Sequence, residues 1–288
     1  MPCLGYLFLV MTLCASVWAA GKPYGTLPPG QLSVSEVSEV SAEICRDLLF
    51  DPSAVAGRLP PGHRLITAAE QAKDDPAVAE FLKANPEYSR HAIGSLCFMA
   101  VGAFTVDGVR VHPPGPTPMA FWWARAEGPR DARMQGKSQW VQLGSWYARD
   151  LLAERANILA TDPMAQFTDL QVAEVAPRVW RLRLVLPDEV VSADVRCSGE
   201  PVRRRAPEPG FMSVPFSGDQ AGYFWVITYF GHHHLPAQGE WRSQGTGVFS
   251  SAFRVPQEAK TFGTGFQYRW SALSGLYRRG SSPAERSE

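Results

Sequence analysis

The sequence carries no excess of charge of either sign, and this excludes one class of partner. It contains 28 Lys and Arg against 28 Asp and Glu, so its formal net charge is zero. Such a balance gives no long-range field that would gather phosphate groups, and we expect no nucleic acid as a partner. The sequence also has no GxGxxG segment, no P-loop, no internal repeat and no alternation of strand and helix patterns, which disfavours a nucleotide-binding α/β fold. A Gly-x-Ser-x-Gly segment, typical of serine hydrolases, is absent as well.

Long apolar runs are also absent, except at the N-terminus. Residues 4–17 read LGYLFLVMTLCASV and lead into VWAA at 17–20. The run is too short to cross a bilayer comfortably and ends in small residues that suit signal peptidase. We therefore expect a cleaved signal peptide over 1–20 and a secreted or periplasmic protein with no stable membrane span. Because no Lys or Arg precedes the run, an uncleaved anchor is the alternative. Residues 21–32, rich in Gly and Pro, are predicted to form a flexible tether.

Cysteine is scarce in the predicted mature chain, where three remain: Cys45, Cys97 and Cys197. An oxidising compartment would allow one disulfide and leave one free thiol, and their spacing matches neither a metal site nor a redox pair. Cys97 and Cys197 lie in apolar, strand-like segments, so burial as small hydrophobic residues is the alternative to a bridge between them.

Two segments near the start of the mature chain have helical patterns. In residues 33–50, Val and Leu recur at helical spacing among Ser and Glu, which predicts an amphipathic helix. A second helix is predicted over Pro76–Ala84, because Asp74 and Asp75 are good capping residues and Pro76 suits the first turn.

The rest of the chain has the pattern of short strands separated by Gly, Pro or Asp turns. With 45% hydrophobic residues it can bury a core without relying on disulfides. Trp180, Leu182 and Leu184 are predicted to share one face of a strand, with the arginines between them on the other face. A tight turn is predicted over 186–190. The predicted strands are 96–106, 119–126, 167–175, 179–186, 190–197, 223–230, 247–253 and 265–270.

These patterns predict a β-rich α+β fold, an antiparallel barrel or sandwich with a short N-terminal helical segment. We expect a single domain over 33–275, followed by a disordered tail over 276–288. A barrel of this size closes around space that aromatic side chains either fill or line as a ligand cavity, and both alternatives stay open. If there is a cavity, Trp123, Trp146 and Trp225 are the expected ligand-binding aromatics.

Three segments carry a family resemblance. Residues 51–65 (DPSAVAGRLPPGHRL) lead from a short helical pattern into a proline turn, residues 144–151 read GSWYARDL, and Glu240 and Trp241 precede a glycine-rich strand. Together they resemble the acetoacetate decarboxylase-like β-barrel superfamily, in which Ser and Tyr precede a pair of lysines in the active site. The resemblance implies a barrel fold and lyase chemistry of the decarboxylase or hydratase type.

The same resemblance places Arg149 where the family has its Schiff-base lysine, and Asp150 at the adjacent lysine. A guanidinium stays protonated near neutral pH and is a poor nucleophile, so imine chemistry is disfavoured. Arg149 is expected instead to clamp a carboxylate with its planar fork. Tyr147 and Glu154 are the accompanying catalytic candidates, and either Asp150 or Glu154 would act as a base or pair with a neighbouring arginine.

A run of three histidines, 232–234, follows an apolar strand pattern. If the strand continues, His232 and His234 share a face and could chelate one divalent metal, with a third ligand from His91, His112 or Glu240. A solvated turn is the alternative, and no other cofactor is predicted.

Two functions therefore follow from the sequence. The first is an exported barrel that binds a small apolar or carboxylate-bearing metabolite with Arg149 as anchor. The second is an enzyme on the same barrel, either a lyase or a metal-assisted hydrolase. Homo-oligomerisation is left open.

Overall fold

The computed structural model describes residues 31–110, 115–128, 139–162, 164–204, 210–214, 223–230, 232–255 and 264–278. The strands are β1 (Gln31–Phe50), β2 (Arg64–Leu65), β3 (Ala92–Val106), β4 (Val109–Arg110), β5 (Thr117–Glu127), β6 (Gln139–Ala148), β7 (Ala165–Thr168), β8 (Leu170–Ala176), β9 (Val179–Val185), β10 (Glu189–Cys197), β11 (Val202–Arg204), β12 (Gly210–Val214), β13 (Tyr223–Phe230), β14 (His232–Gly245), β15 (Thr264–Tyr268) and β16 (Trp270–Arg278). The helices are α1 (Ala68–Gln71), α2 (Pro76–Ala84), α3 (Arg155–Thr161) and α4 (Val248–Ala252), with 3₁₀ helices at Pro52–Arg58, Pro86–Arg90 and Arg149–Glu154. Among the described helices, none is long and apolar enough to cross a membrane.

The strands form a barrel with a second sheet growing from it. Hydrogen-bonded pairs run from β1 through β3, β5, β6, β12, β13 and β16 and back to β1, which closes a ring. All pairs of this ring are antiparallel except β6 with β12. The second half of β1 leaves β16 and pairs with β15, from which the sheet continues through β14, β10 and β9 to β8. The predicted β-rich α+β barrel is confirmed.

Each face of the shared strands β1, β3, β5 and β6 covers its own core. One face packs against the second sheet and α4 around fully buried side chains such as Trp122 and Phe98. The opposite face contributes to a cluster inside the ring that includes Phe121 and Tyr147. A third, smaller cluster packs α1 and α2 against the ends of β1 and β3.

The predictions for strand β9, for the turn that follows it and for helix α2 are confirmed. Along β9, Trp180, Leu182 and Leu184 are buried while the arginines between them are exposed. The turn to β10 is closed by the N–H of Leu186, which donates to the carbonyl of Glu189 at 2.8 Å. Helix α2 has the predicted bounds, and its Asp75 side chain accepts from the first backbone N–H groups of the helix.

The predicted helix over 33–50 is wrong, because this segment is the strand β1. Its pairing shifts register between Val37 and Val40 on one side and between Val40 and Ala42 on the other. Glu39, within the first irregularity, has φ of 54°, and Gly102 on β3 has no Cβ that would meet the Glu39 side chain at 2.7 Å. Each extra residue turns the two-residue period of a strand into a three-residue step, which imitates a helical pattern.

The predicted strand over 247–253 is also wrong, because it contains the helix α4. The buried carboxylate of Glu189 accepts hydrogen bonds from the N–H groups of Phe249 at 3.2 Å and Ser250 at 2.8 Å, and from the Ser243 hydroxyl at 2.8 Å. This carboxylate lies so close to Gly247 that a Cβ there would collide with it. The acceptor that fixes the first turn of α4 therefore comes from β10, a strand distant in sequence.

Cys45 of β1 and Cys97 of β3 are register partners and form a disulfide, while Cys197 is a buried free cysteine. Both ends of the described fold run slightly beyond the predicted domain. Strand β1 begins within the predicted tether, at Gln31, and β16 extends into the predicted tail, to Arg278.

Candidate functional site

Strand β6 brings three polar side chains into the interior of the ring. Gln142, Ser145 and Tyr147 are all almost fully buried. Gln142 and Ser145 share a face although they are three residues apart, because the pairing with β5 shifts register between them. The three side chains converge on the carboxylate of Asp162, which follows α3 and is 1% exposed.

Asp162 is the common acceptor of this cluster. The Tyr147 hydroxyl donates to it at 2.9 Å, Gln142 Nε2 at 3.1 Å and the backbone N–H of Met164 at 3.1 Å, and the Ser145 hydroxyl donates to it as well. Burial raises the pKa of Asp162, although the surrounding donors oppose the rise. Burial and then the nearby Asp162 charge raise the pKa of Tyr147 well above its ordinary value, so its phenol stays a proton donor. The cluster ties α3 to β6 and can hold protons within the ring.

Arg149 lies two residues beyond Tyr147 but on the outside of the fold. Strand β6 ends at Ala148, and the following 3₁₀ helix turns the Arg149 side chain outward, where it is 68% exposed. Its Nε lies 3.3 Å from Asp169 Oδ1. This pair forms part of a cleft of about 320 Å³, lined by Pro118, Ala148, Arg149, Asp150, Thr168, Asp169, Leu170, Gln171 and Arg183.

A second guanidinium enters the cleft from β9. The alternation of this strand places Arg181 and Arg183 on its exposed face. Arg181 pairs with Asp194 at 3.0 Å, whereas Arg183 forms no ion pair with any residue that the structure describes. The cleft thus contains Arg149, which pairs with Asp169, and Arg183, which has no ion pair among the described residues, beside the apolar side chains of Pro118 and Leu170.

The structure separates the predicted catalytic residues. Tyr147 points into the ring and Arg149 points into the outer cleft, so the two side chains do not meet. Glu154 ends the 3₁₀ helix, and its side chain lies outside the described residues. Their catalytic roles stay predictions.

The predicted aromatic ligands are also divided between two faces. Trp146 is 3% exposed and packs against Phe249 in the core between the sheets, whereas Trp123 packs beside Phe121 on the opposite face. The backbone of Trp225 lies in β13, and its side chain is outside the described residues. Ligand binding by these three residues stays a prediction.

The histidine run begins β14. His234 is half-buried and pairs with Gln267 of β15, and the side chain of His232 is outside the described residues. Four strands, β15, β1, β3 and β5, lie between His234 and Tyr147 along the sheet. Within the described part of the chain, His234 belongs to no group of three side chains that could ligate a metal. The metal site stays a prediction.

Sequence reasoning missed Asp162 and the position of Arg183 in the cleft. Asp162 is separated from Tyr147 by 15 residues, and the 3₁₀ helix Arg149–Glu154 and α3 lie between them and return the chain to β6. Arg183 was recognisable as an outward residue of an alternating strand, but its neighbour across the cleft comes from the end of β6.

No family model matches the sequence, and no curated protein sequence matches it. Solved structures do match over most of their length. The enduracididine biosynthesis enzyme MppR complexed with pyruvate is 14% identical, with 88% of this chain and 92% of that chain covered and a TM-score of 0.46. Acetoacetate decarboxylase from Legionella pneumophila is 11% identical, with 88% and 87% covered and a TM-score of 0.48. An acetoacetate decarboxylase-like enzyme from Sphingomonas wittichii RW1 is 7% identical, with 88% and 92% covered and a TM-score of 0.44.

All three structures have TM-scores below 0.5, so the resemblance to the acetoacetate decarboxylase-like superfamily stays an expectation from the sequence. At these identities the likeness says nothing about the reaction or the ligand.

Proposed function

We propose that this chain is an exported binding protein for a small organic acid, which it holds in the outer cleft between Arg149 and Arg183. The single observation that carries the proposal is the presence of two guanidinium groups in one cleft, of which Arg183 has no ionic partner among the described residues.

The chemistry of the cleft suits a carboxylate with a small apolar body. A guanidinium has five N–H donors, so the contact of Arg149 Nε with Asp169 leaves donors for a ligand. Pro118 and Leu170 offer apolar contact, and the volume of about 320 Å³ is at the lower end for small-molecule sites. The described residues that line the cleft include no lysine, and imine chemistry needs a lysine amine, so they favour binding.

Binding is tested by calorimetric titration with a panel of short-chain and aromatic monocarboxylates. We expect at least one to bind the wild type and to bind Arg149→Ala and Arg183→Ala roughly 10- to 100-fold more weakly, since a hydrogen bond to a charged group contributes about 1.5–3 kcal/mol. Arg181→Ala is the matched control, because Arg181 lies on the same face of β9 and is not part of the cleft lining. Equal affinity in all four proteins would contradict the proposal.

Export is supported by the Cys45–Cys97 disulfide, since disulfides persist mainly in oxidising compartments. N-terminal sequencing of the mature protein should find a new terminus after Ala19 or Ala20. An intact N-terminus in a cell-associated protein would contradict export.

A lyase is the second candidate, and the cluster around Asp162 favours it. Four buried polar side chains meet inside the ring, and proton-holding groups of this kind serve acid–base chemistry. Decarboxylation of short 2- and 3-oxo acids by the wild type, lost in Tyr147→Phe while the fold is retained, would support the lyase. Absence of turnover with these acids would favour the binding protein.

A further inference from the structure

A buried carboxyl group lies beside the disulfide. Glu43 is two residues before Cys45 on β1 and is 5% exposed. Its Oε1 lies 3.6 Å from Cys45 Sγ, and a carboxyl oxygen of Glu43 and the sulfurs of Cys45 and Cys97 all lie within 4.8 Å of one another. A disulfide sulfur carries no hydrogen, so in this contact the Glu43 carboxyl is the donor and the sulfur the acceptor.

The surroundings of this carboxyl favour its protonated form. Across the sheet, its register neighbours are Gln267 of β15 and Met99 of β3. Titratable groups on the same face lie further away: Asp47 is four residues along β1, and His234 is one strand beyond Gln267. Burial alone raises the pKa of Glu43 from 4.5 to about 7.

We propose that Cys45–Cys97 is a reducible disulfide that exchanges with a dithiol partner, and that Glu43 is the proton donor of this exchange. The assignment goes beyond the proposed binding function and is independent of it. Cys45 is half-buried whereas Cys97 has no exposed surface, so the incoming thiolate reaches Cys45. The Cys197 thiol does not compete, because burial raises its pKa to about 11 and the nucleophile in exchange is a thiolate.

The exchange balances in two steps. A thiolate of the dithiol attacks Cys45 Sγ, the bond between the two protein sulfurs breaks, and Cys97 leaves as a thiolate that takes the proton of Glu43. The second thiol of the partner then attacks its own sulfur in the mixed disulfide. Cys45 leaves and takes the proton of that thiol, and Glu43 recovers from solvent the proton lost by the first thiol. The protein gains two electrons and two protons, and the partner becomes a disulfide.

The experiment measures the rate at which dithiothreitol reduces the folded protein at pH 6.5, with free thiols alkylated and counted by mass spectrometry. We expect Glu43→Gln to slow reduction at least roughly ten-fold, because general acid catalysis typically contributes a hundred-fold or more. Glu80→Gln, on an exposed carboxylate of α2, is the matched control and should react like the wild type. Equal rates in all three proteins would overturn the proposal.

A second measurement needs no variant. The rate constant of the wild type, divided by the thiolate fraction of dithiothreitol, should be constant at low pH and fall as pH rises through about 7, where Glu43 loses its proton. A flat profile, or a disulfide that dithiothreitol reduces only after the protein unfolds, would also overturn it.

Discussion

The buried carboxyl of Glu43 should make the stability of the protein depend on pH. Its pKa is 4.5 when exposed and about 7 in the folded state. At about 1.4 kcal/mol per pKa unit, this difference corresponds to roughly 3 kcal/mol. Because the folded-state pKa is raised, the folded protein binds more protons than the unfolded chain between these two values. The contribution is therefore fully present below pH 4.5 and is lost as pH rises through about 7.

The substitution Glu43→Gln isolates this contribution, since glutamine is close in size and stays neutral. Denaturant unfolding without reductant, followed between pH 4 and 8, gives the free energy of unfolding of both proteins with the disulfide intact. We expect the wild type to lose roughly 3 kcal/mol more than Glu43→Gln across this range. All other titrating groups are shared by the two proteins and cancel in the difference.

Glu80→Gln serves as the control, because the Glu80 carboxylate is exposed and pairs with Lys83 on the surface. It should have the pH profile of the wild type. Parallel profiles for the wild type and Glu43→Gln would contradict this prediction, since they would mean that Glu43 has the same pKa in the folded and unfolded protein.

Three further predictions concern the free energy of unfolding measured with denaturant. Glu189→Ala should cost about 3 kcal/mol, because it leaves the buried N–H groups of the first turn of α4 without an acceptor. The matched substitution Asp188→Ala, at the exposed neighbouring residue, should cost less than about 0.5 kcal/mol. Asp162→Ala should cost about 3–5 kcal/mol, because three buried side chains lose their common acceptor, and a loss under about 1 kcal/mol would contradict the network. Leu182→Ala should cost about 2–5 kcal/mol against less than about 1 kcal/mol for Arg181→Ala, and equal effects would contradict the burial pattern of β9.

Elements whose pattern depends on local geometry could be predicted from the sequence. Strand β9 has one buried and one exposed face and no bulge of its own, so the prediction that Trp180, Leu182 and Leu184 share one face is confirmed. Helix α2 carries its own cap and first-turn proline, and both were found. In these elements the signal and its cause lie within a few residues of each other.

Elements whose pattern depends on distant partners could not be predicted from the sequence. The bulges near Glu39 and Ser41 are accommodated by Gly102 and the register of β3, so the spacing in β1 read as a helix. The cap of α4 is Glu189, 60 residues away from Phe249, so its segment read as a strand. Nothing local to either segment carries this information.

In the candidate site, too, some features could be predicted from local sequence and others depend on distant partners. The segment 144–151 was identified as chemically important, and its Tyr147 and Arg149 do occupy a polar cluster and a cleft. Which side of the sheet each side chain faces depends on where β6 ends and the 3₁₀ helix begins. The partners Asp162 and Arg183 come from other elements and required the fold.

We propose that the cleft between Arg149 and Arg183 binds an organic acid, and native mass spectrometry of the purified protein is the first test of this binding. We expect a co-purified or added small acid to bind at a one-to-one ratio to the wild type and to Arg181→Ala, and roughly 10- to 100-fold more weakly to Arg149→Ala and Arg183→Ala. An acid that binds all four proteins equally would place the site elsewhere, and a wild type that takes up no acid from the full panel would mean that the cleft is not a binding site for organic acids.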